Sequence, residues 1–146
     1  MTIVERYGHF GGLWTGGLVL LIIGHIIKGG KQVCQGIGEE MMRRMDKMDG
    51  AIIDRRPGVN PTVDAEAVKY LMVEMIEEAN IKVFLHCWGV DAVTQDDSLR
   101  GVVFESKSGR QAILAKVVVD GSVDMVEAGQ QHTRHSAQCV DRIKRT

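Results

Sequence analysis

Residues 4–17 read Val-Glu-Arg-Tyr-Gly-His-Phe-Gly-Gly-Leu-Trp-Thr-Gly-Gly, and the fold turns on how this stretch is taken. Met1 to Val4 reads as the end of a short apolar strand, Glu5 follows at once, and a loop with glycines at 8, 11, 12, 16 and 17 comes next. Strand, carboxylate and glycine loop, in that order, suit a nucleotide. A carboxylate at the tip of a parallel strand accepts hydrogen bonds from ribose hydroxyls, and glycines let backbone N–H groups approach a pyrophosphate with no Cβ in the way. From these residues alone a strand end followed by a permissive surface loop is the plainer reading, because the complete G-x-G-x-x-G phosphate fingerprint occurs nowhere in the chain.

The bulk numbers narrow the field. A chain of 146 residues, 45% hydrophobic and 25% charged, is enough for one globular domain with its own core. With 18 basic against 19 acidic residues the formal charge is -1, so no net field favours nucleic acid or an anionic membrane. Cys34, Cys87 and Cys139 are too few and too scattered for a disulfide framework, which points to a reducing, cytoplasmic compartment. None sits in a C-x-x-C, so neither a zinc ribbon nor a cysteine-ligated iron-sulfur cluster is written here.

The apolar run from Leu18 to Ile27 covers roughly half the ~20 residues a membrane span requires and carries Gly24 and His25 in its middle. It reads as buried, with no membrane partner. Glu5 before it and Lys28-Gly-Gly-Lys31 after it do not fit a signal peptide. Beyond Gly29 and Gly30 the chain reads as a helix from Lys31 to Met48, with Val33, Ile37, Met41 and Met45 at i+4 spacing. Methionines at that spacing are adaptable core filling. Residues 49–63 hold both prolines and read as a loop with a short extended piece at Ala51 to Ile53. Asp64 is an N-cap for a second helix whose stripe is Val68, Leu71, Met72, Met75, Ile76 and Ala79, ending before Asn80. Strands then follow at Lys82 to His86, Gly89 to Thr94, Gly101 to Glu105 and Gln111 to Val119, the last containing or joined to Lys116 to Asp120. Asp96-Asp97-Ser98 and Ser106 to Gly109 supply hairpin turns.

Other groups that could carry chemistry have plainer roles. His132, His135 and Cys139 have the spacing of metal ligands on one helical side, but three groups on an unanchored polar tail make a weak site, and no metal is assigned. His86 and Cys87, adjacent at a strand end, point to opposite faces and read as a half-buried structural pair. His25 reads as a core histidine and His9 as part of the exposed loop. Asp96 and Asp97 are turn residues, since catalytic carboxylates need converging side chains. No catalytic residue is assigned.

The motifs in combination carry a resemblance. They are E-R-x-x-x-x-G-G-x-x-T-x-G from Glu5, D-A-x-A-V-K from Asp64, L-H-x-x-x-V-D-A-V from Leu85, and the S-G-R hairpin at Ser108 leading to K-V-V-V-D at Lys116. From Thr2 to Asp124 the chain resembles the FAD-dependent oxidoreductases, among them relatives of the heterodisulfide reductase A-type flavoproteins, with the glutathione-reductase type of FAD fold. The resemblance implies an α/β, partial Rossmann-like FAD-binding domain with parallel strands, two main helices and an inserted antiparallel β-meander at about 88–115. It implies FAD as cofactor. Glu5 would hold the adenosine ribose, Arg6 would lie beside the adenine, the backbone at Gly11, Gly12 and Thr15 would follow the pyrophosphate, and Val90 would meet the adenine through its main chain.

Departures from the family pattern set further expectations. The family's opening strand and G-x-G-x-x-G helix are missing, because Met1 falls where the second parallel strand should start. Where the family reads A-T-G-D after the last strand, this chain has Gly121-Ser-Val-Asp124, and Val123 puts a branched side chain where the backbone should approach the flavin. The expectation is a fragment: residues 1–124 a partial FAD-binding domain, residues 125–146 a divergent, poorly packed tail, and the substrate domain absent. Such a chain would bind FAD weakly or not at all and show no turnover. The alternative is a non-catalytic small α/β domain that acts through protein–protein association, including self-association at an exposed sheet edge.

Overall fold

Two helices and a run of short strands make up the described residues. The computed structural model describes residues 1–24, 31–32, 35–53, 59–96 and 98–121. In chain order the elements are β1 (Thr2–Val4), a single 3-10 turn (Gly12–Trp14), α1 (Ile37–Lys47), β2 (Ala51–Ile52), β3 (Thr62–Val63), α2 (Ala65–Glu78), β4 (Lys82–Phe84), β5 (Trp88–Gln95), β6 (Ser98–Ser106) and β7 (Gly109–Leu114). They fall into two units, Met1 with His9–Lys82, and Thr2–Gly8 with Val83 onward.

The first unit is built on the two helices. Met41, Met42 and Met45 of α1 are buried with Val68 and Leu71 of α2, and Ile22 and Val63 close the cluster. A fully buried side chain of this size contributes about 1.5–3 kcal/mol. The Met41–Met45 part of the i+4 stripe read from the sequence is thus the core face. Helix α1 starts six residues later than the spacing predicts, because Gly36 at its N-cap adopts φ 63, a conformation that interrupts the helix and that glycine takes without strain. Ile37 is consequently exposed, and Val33 lies outside the described residues. Helix α2 begins as expected: the Asp64 side chain accepts the Ala67 N–H at 2.8 Å, satisfying one of the unpaired donors of the first turn. It ends at Ala79, with Asn80 in the left-handed region at φ 51.

Strands β2 and β3 pair antiparallel, Ala51 opposite Val63 and Ile52 opposite Thr62. Leu21 bridges to Thr62, with Ile22 N–H donating to Pro61 O and Val63 N–H to Leu20 O, so residues 20–22 lie along β3. Extended chain alternates its side chains between faces. Ile22 therefore enters the core while Val19, Leu21 and Ile23 face outward, Ile23 with 77% of its surface exposed. The expectation that the whole apolar run is buried is corrected for these residues.

The second unit holds two small sheets, the first of them without its end residue Lys82, which groups with Met1 in the first unit. In the first sheet, β1 neighbours β4. Lys82 N–H donates to Met1 O and Glu5 N–H to Phe84 O, so the partners advance together along both strands and the pair is parallel. Strand β4 stops at Phe84, two residues short of the predicted end, because His86 takes φ 54. The second sheet is the predicted meander, β5-β6-β7, antiparallel throughout. Phe104 of β6 is buried and its ring lies 5.2 Å from that of Phe84. The apolar stretch 116–120 forms no strand, against expectation: β7 ends at Leu114, and Val119 is 75% exposed. A strand needs a partner ladder, and none of the described sheets includes these residues. The tail at 125–146 lies outside the described residues. No helix among the described residues is long and apolar enough to cross a membrane.

Arg44 ties the helices together. Its guanidinium donates to both oxygens of Glu78, at 2.7 and 2.8 Å, and to Glu40 Oε1 at 2.6 Å. Hydrogen bonding from Arg44 holds the Glu78 carboxyl below its ordinary value of 4.5. A carboxylate whose folded-state value is depressed stabilises the fold above its unfolded-state value, and that stabilisation is lost as pH falls through the folded-state value. Urea unfolding should therefore show stability declining as pH drops below 4.5, with Glu78→Gln losing less over the same interval. Identical pH profiles for the two proteins would remove Arg44–Glu78 from the account.

Candidate functional site

Glu5 is the first residue after β1, at the carboxyl end of the parallel pair. Ligands of open parallel sheets bind outside the carboxyl ends of the strands. The Glu5 peptide is fixed on both sides: its N–H donates to Phe84 O at 2.8 Å and its C=O accepts from Cys87 N–H at 3.0 Å. Its carboxylate turns back over the loop, Oε1 accepting the Tyr7 N–H at 2.8 Å. Oε2 has no partner among the described residues and remains able to accept a further hydrogen bond. His86 N–H donates to Tyr7 O at 3.2 Å, so residues 5–7 run beside 84–87.

Arg6 and Val90 belong to the same unit. The Arg6 guanidinium carbon lies 4.1 Å from the Trp88 ring centroid and 5.7 Å from that of Tyr7, within the range of cation–π attraction. It has no carboxylate partner among the described residues. In the β5–β6 ladder Gly89 faces Phe104 and Asp91 faces Val103, which leaves Val90 as an extra residue with no opposite number. This is a β-bulge, a device that frees main-chain groups from the ladder. A second bulge falls at Arg100, between Leu99 opposite Thr94 and Gly101 opposite Val93.

Gly11, Gly12 and Thr15 belong to the first unit. Gly11 has φ 103, and a Cβ there would lie 2.5 Å from Thr15 Cγ2, so only glycine fits. The tight 3-10 turn that follows converges on one acceptor: Gly12 O takes the N–H groups of Thr15, Gly16 and Gly17. Thr15 is 2% exposed, and its hydroxyl donates to Phe10 O at 2.6 Å, leaving Oγ1 to accept from His9 Nδ1 at 3.2 Å. Thr15 therefore braces the loop from inside, both its hydroxyl and its N–H being spent there. The N–H groups of Gly11, Gly12 and Leu13 have no acceptor among the described residues, and a Cβ on Gly12 would meet nothing within 4 Å. The open face of the bend is thus lined with unpaired donors.

His9 is half-buried against Thr15, where the sequence suggests an exposed loop residue. His86 and Cys87 lie beyond the end of β4. Cys87 is buried and its thiol donates to Leu85 O at 3.2 Å, so the thiol proton is directed to a backbone carbonyl. His25, Asp97, His132, His135 and Cys139 lie outside the described residues. Among the described residues no group of three or more His, Cys, Asp or Glu could hold a metal ion. Two features escape a reading of the sequence: the seating of Arg6 on Trp88, which no spacing rule links, and the bulge at Val90. Gly89 beside a strand pattern is the one signal for the latter.

The Thr15 brace is testable. Thr15→Val should remove the 2.6 Å bond to Phe10 O, leaving that carbonyl only His9 Nδ1 at 3.3 Å, at a cost of about 0.5–1.5 kcal/mol, and should speed amide exchange at Gly16 and Gly17, while Thr15→Ser should keep the wild-type rates. Equal exchange in all three proteins would contradict the assignment.

Among curated proteins nothing matches. The crystal structure of Thermovibrio ammonificans THI4 is similar in fold, with a TM-score of 0.52 at 21% identity over 82% of this chain. That match takes in 46% of the THI4 chain, so the present chain spans less than half the length of its structural relative. The pattern of the family described as FAD dependent oxidoreductase matches residues 1–133. A mixed α/β chain with an acid-tipped parallel strand, a glycine bend and an antiparallel meander, matched over nearly its whole length, belongs to the FAD-dependent oxidoreductase family.

Proposed function

We propose that this chain holds the adenosine-diphosphate half of FAD in a flavin-dependent oxidoreductase, and that within the family it stands nearest the heterodisulfide reductase A-type flavoproteins. The observation that carries the proposal is the placement of Glu5: immediately after a parallel strand, peptide fixed on both sides, one carboxylate oxygen pinned and the other open. In this reading Glu5 accepts from the ribose hydroxyls, Arg6 lies beside the adenine, and Val90 offers its unladdered main chain to the base. The bend at Gly11 and Gly12 faces the pyrophosphate with unpaired N–H groups, and Thr15 keeps that bend in shape. Taken unit by unit, the open carboxylate oxygen of Glu5 suits a ribose, and the free donors of the bare glycine bend suit a phosphate. FAD supplies the redox chemistry when bound. In this reading the chain's own described residues bind and orient the cofactor.

Two features support weak binding and no turnover by this chain alone. It contains no G-x-G-x-x-G, the strongest phosphate anchor of such folds, and the described parallel sheet has two strands, below the number that is stable by itself. Residues 1–124 then serve as a partial FAD-binding domain. A second reading, a non-catalytic domain that works through association, is favoured by the outward-facing Val19, Leu21, Ile23 and Ile52. One experiment separates them. The purified protein should lack the visible flavin band yet quench the fluorescence of added FAD, and Glu5→Gln should weaken that binding by about 1.5–3 kcal/mol. Tightly bound stoichiometric flavin would contradict the weak-binding part. A monomer or dimer with no affinity for FAD would favour the association reading.

A further inference from the structure

We propose that Trp88 is a positioning residue for the nucleobase: its indole seats the Arg6 guanidinium so that a purine can stack against it. The inference rests on the reading that the Glu5–Arg6 end takes adenosine, and it adds a residue that no motif of the chain identifies.

Three observations lead to it. Arg6 is an exposed cation without a carboxylate partner among the described residues, although carboxylates lie close in sequence and on the neighbouring strands. Glu5 turns its Oε1 to the Tyr7 N–H, and Glu105, directly opposite Trp88 in the ladder, is held by Arg110 at 2.6 Å. The guanidinium instead rests over Trp88, 4.1 Å from the ring centroid. Finally, Trp88 leaves 55% of its surface exposed at the start of β5, two residues before the bulged Val90.

An arginine on a surface loop samples many rotamers, and each one that points elsewhere weakens a stacked ligand. Seating the guanidinium on an aromatic face selects one arrangement before any ligand arrives, because the planar cation is attracted by the ring quadrupole and is only weakly hydrated. A guanidinium held in this way presents a flat, electron-poor surface, and bases stack on arginine planes as they do on aromatic rings. Trp88 then acts through Arg6, while Val90 on the same strand offers main-chain groups to the edge of the base.

The test uses the 15N-labelled full chain, titrated with AMP and separately with ribose 5-phosphate, which keeps the sugar and the charge but lacks the base. Wild type, Trp88→Leu and Trp88→Phe are compared. AMP should shift the Trp88 indole N–H and the amides of residues 5 and 6. Trp88→Leu should weaken AMP about three- to fivefold, Trp88→Phe should recover most of the loss, and ribose 5-phosphate should bind all three proteins alike. If wild type binds AMP and Trp88→Leu binds it equally well, or if Trp88→Leu weakens both ligands by the same factor, Trp88 has no base-directed role and the inference falls while the nucleotide reading stands. If wild type binds neither ligand, the nucleotide reading fails and takes this inference with it.

Discussion

The peptide of Glu5 is held on both sides, by Phe84 at the end of β4 and by Cys87 just beyond it, and the proposed site depends on that grip. The hydrogen bonds from Glu5 N–H to Phe84 O and from Cys87 N–H to Glu5 O extend the parallel pairing past the formal end of β1. They fix the one acidic side chain at the tip of the sheet, and the Tyr7 N–H then sets its rotamer. A carboxylate fixed in this way has already lost the conformational freedom that a ligand would otherwise have to take from it. The sheet is small, yet the position it creates is well defined.

Elsewhere the forces divide by unit. The first is held by apolar burial of methionine, valine and leucine between two helices, with the exposed Arg44–Glu78 pair adding orientation more than stability, since water screens it. Among its described residues the second buries few apolar side chains and depends on ladders, with Phe104 packed against Phe84. The chain matches the FAD-dependent oxidoreductases along residues 1–133 while spanning less than half of a structural relative.

Periodic and capped features were legible in the sequence. Asp64 announces α2, the Met41–Met45 spacing announces the core face, and Ser106 to Gly109 announces the β6–β7 turn, because each is decided by neighbours within a few residues. What was not legible depends on groups distant in the chain. The stretch 116–120 has the composition of a strand but joins no described ladder, and the apolar run at 18–23 alternates because it lies along β3. At the site, the order of strand, carboxylate and glycine bend was visible in the sequence, but from order alone a permissive surface loop was the plainer reading, and the nucleotide assignment came with the family resemblance. The pairing of Arg6 with Trp88 and the bulge at Val90 were not visible, since both arise from how β5 meets strands and loops far away in sequence.

The central claim is that the open oxygen of Glu5 accepts from ribose hydroxyls. Its most direct test compares the affinity of the chain for ADP with that for 2′,3′-dideoxy-ADP, which differs only in lacking those hydroxyls. A charge-assisted hydrogen bond predicts at least about a tenfold weaker affinity for the dideoxy compound. Equal affinities would show that Glu5 does not hold the sugar, and the account of this site would be wrong.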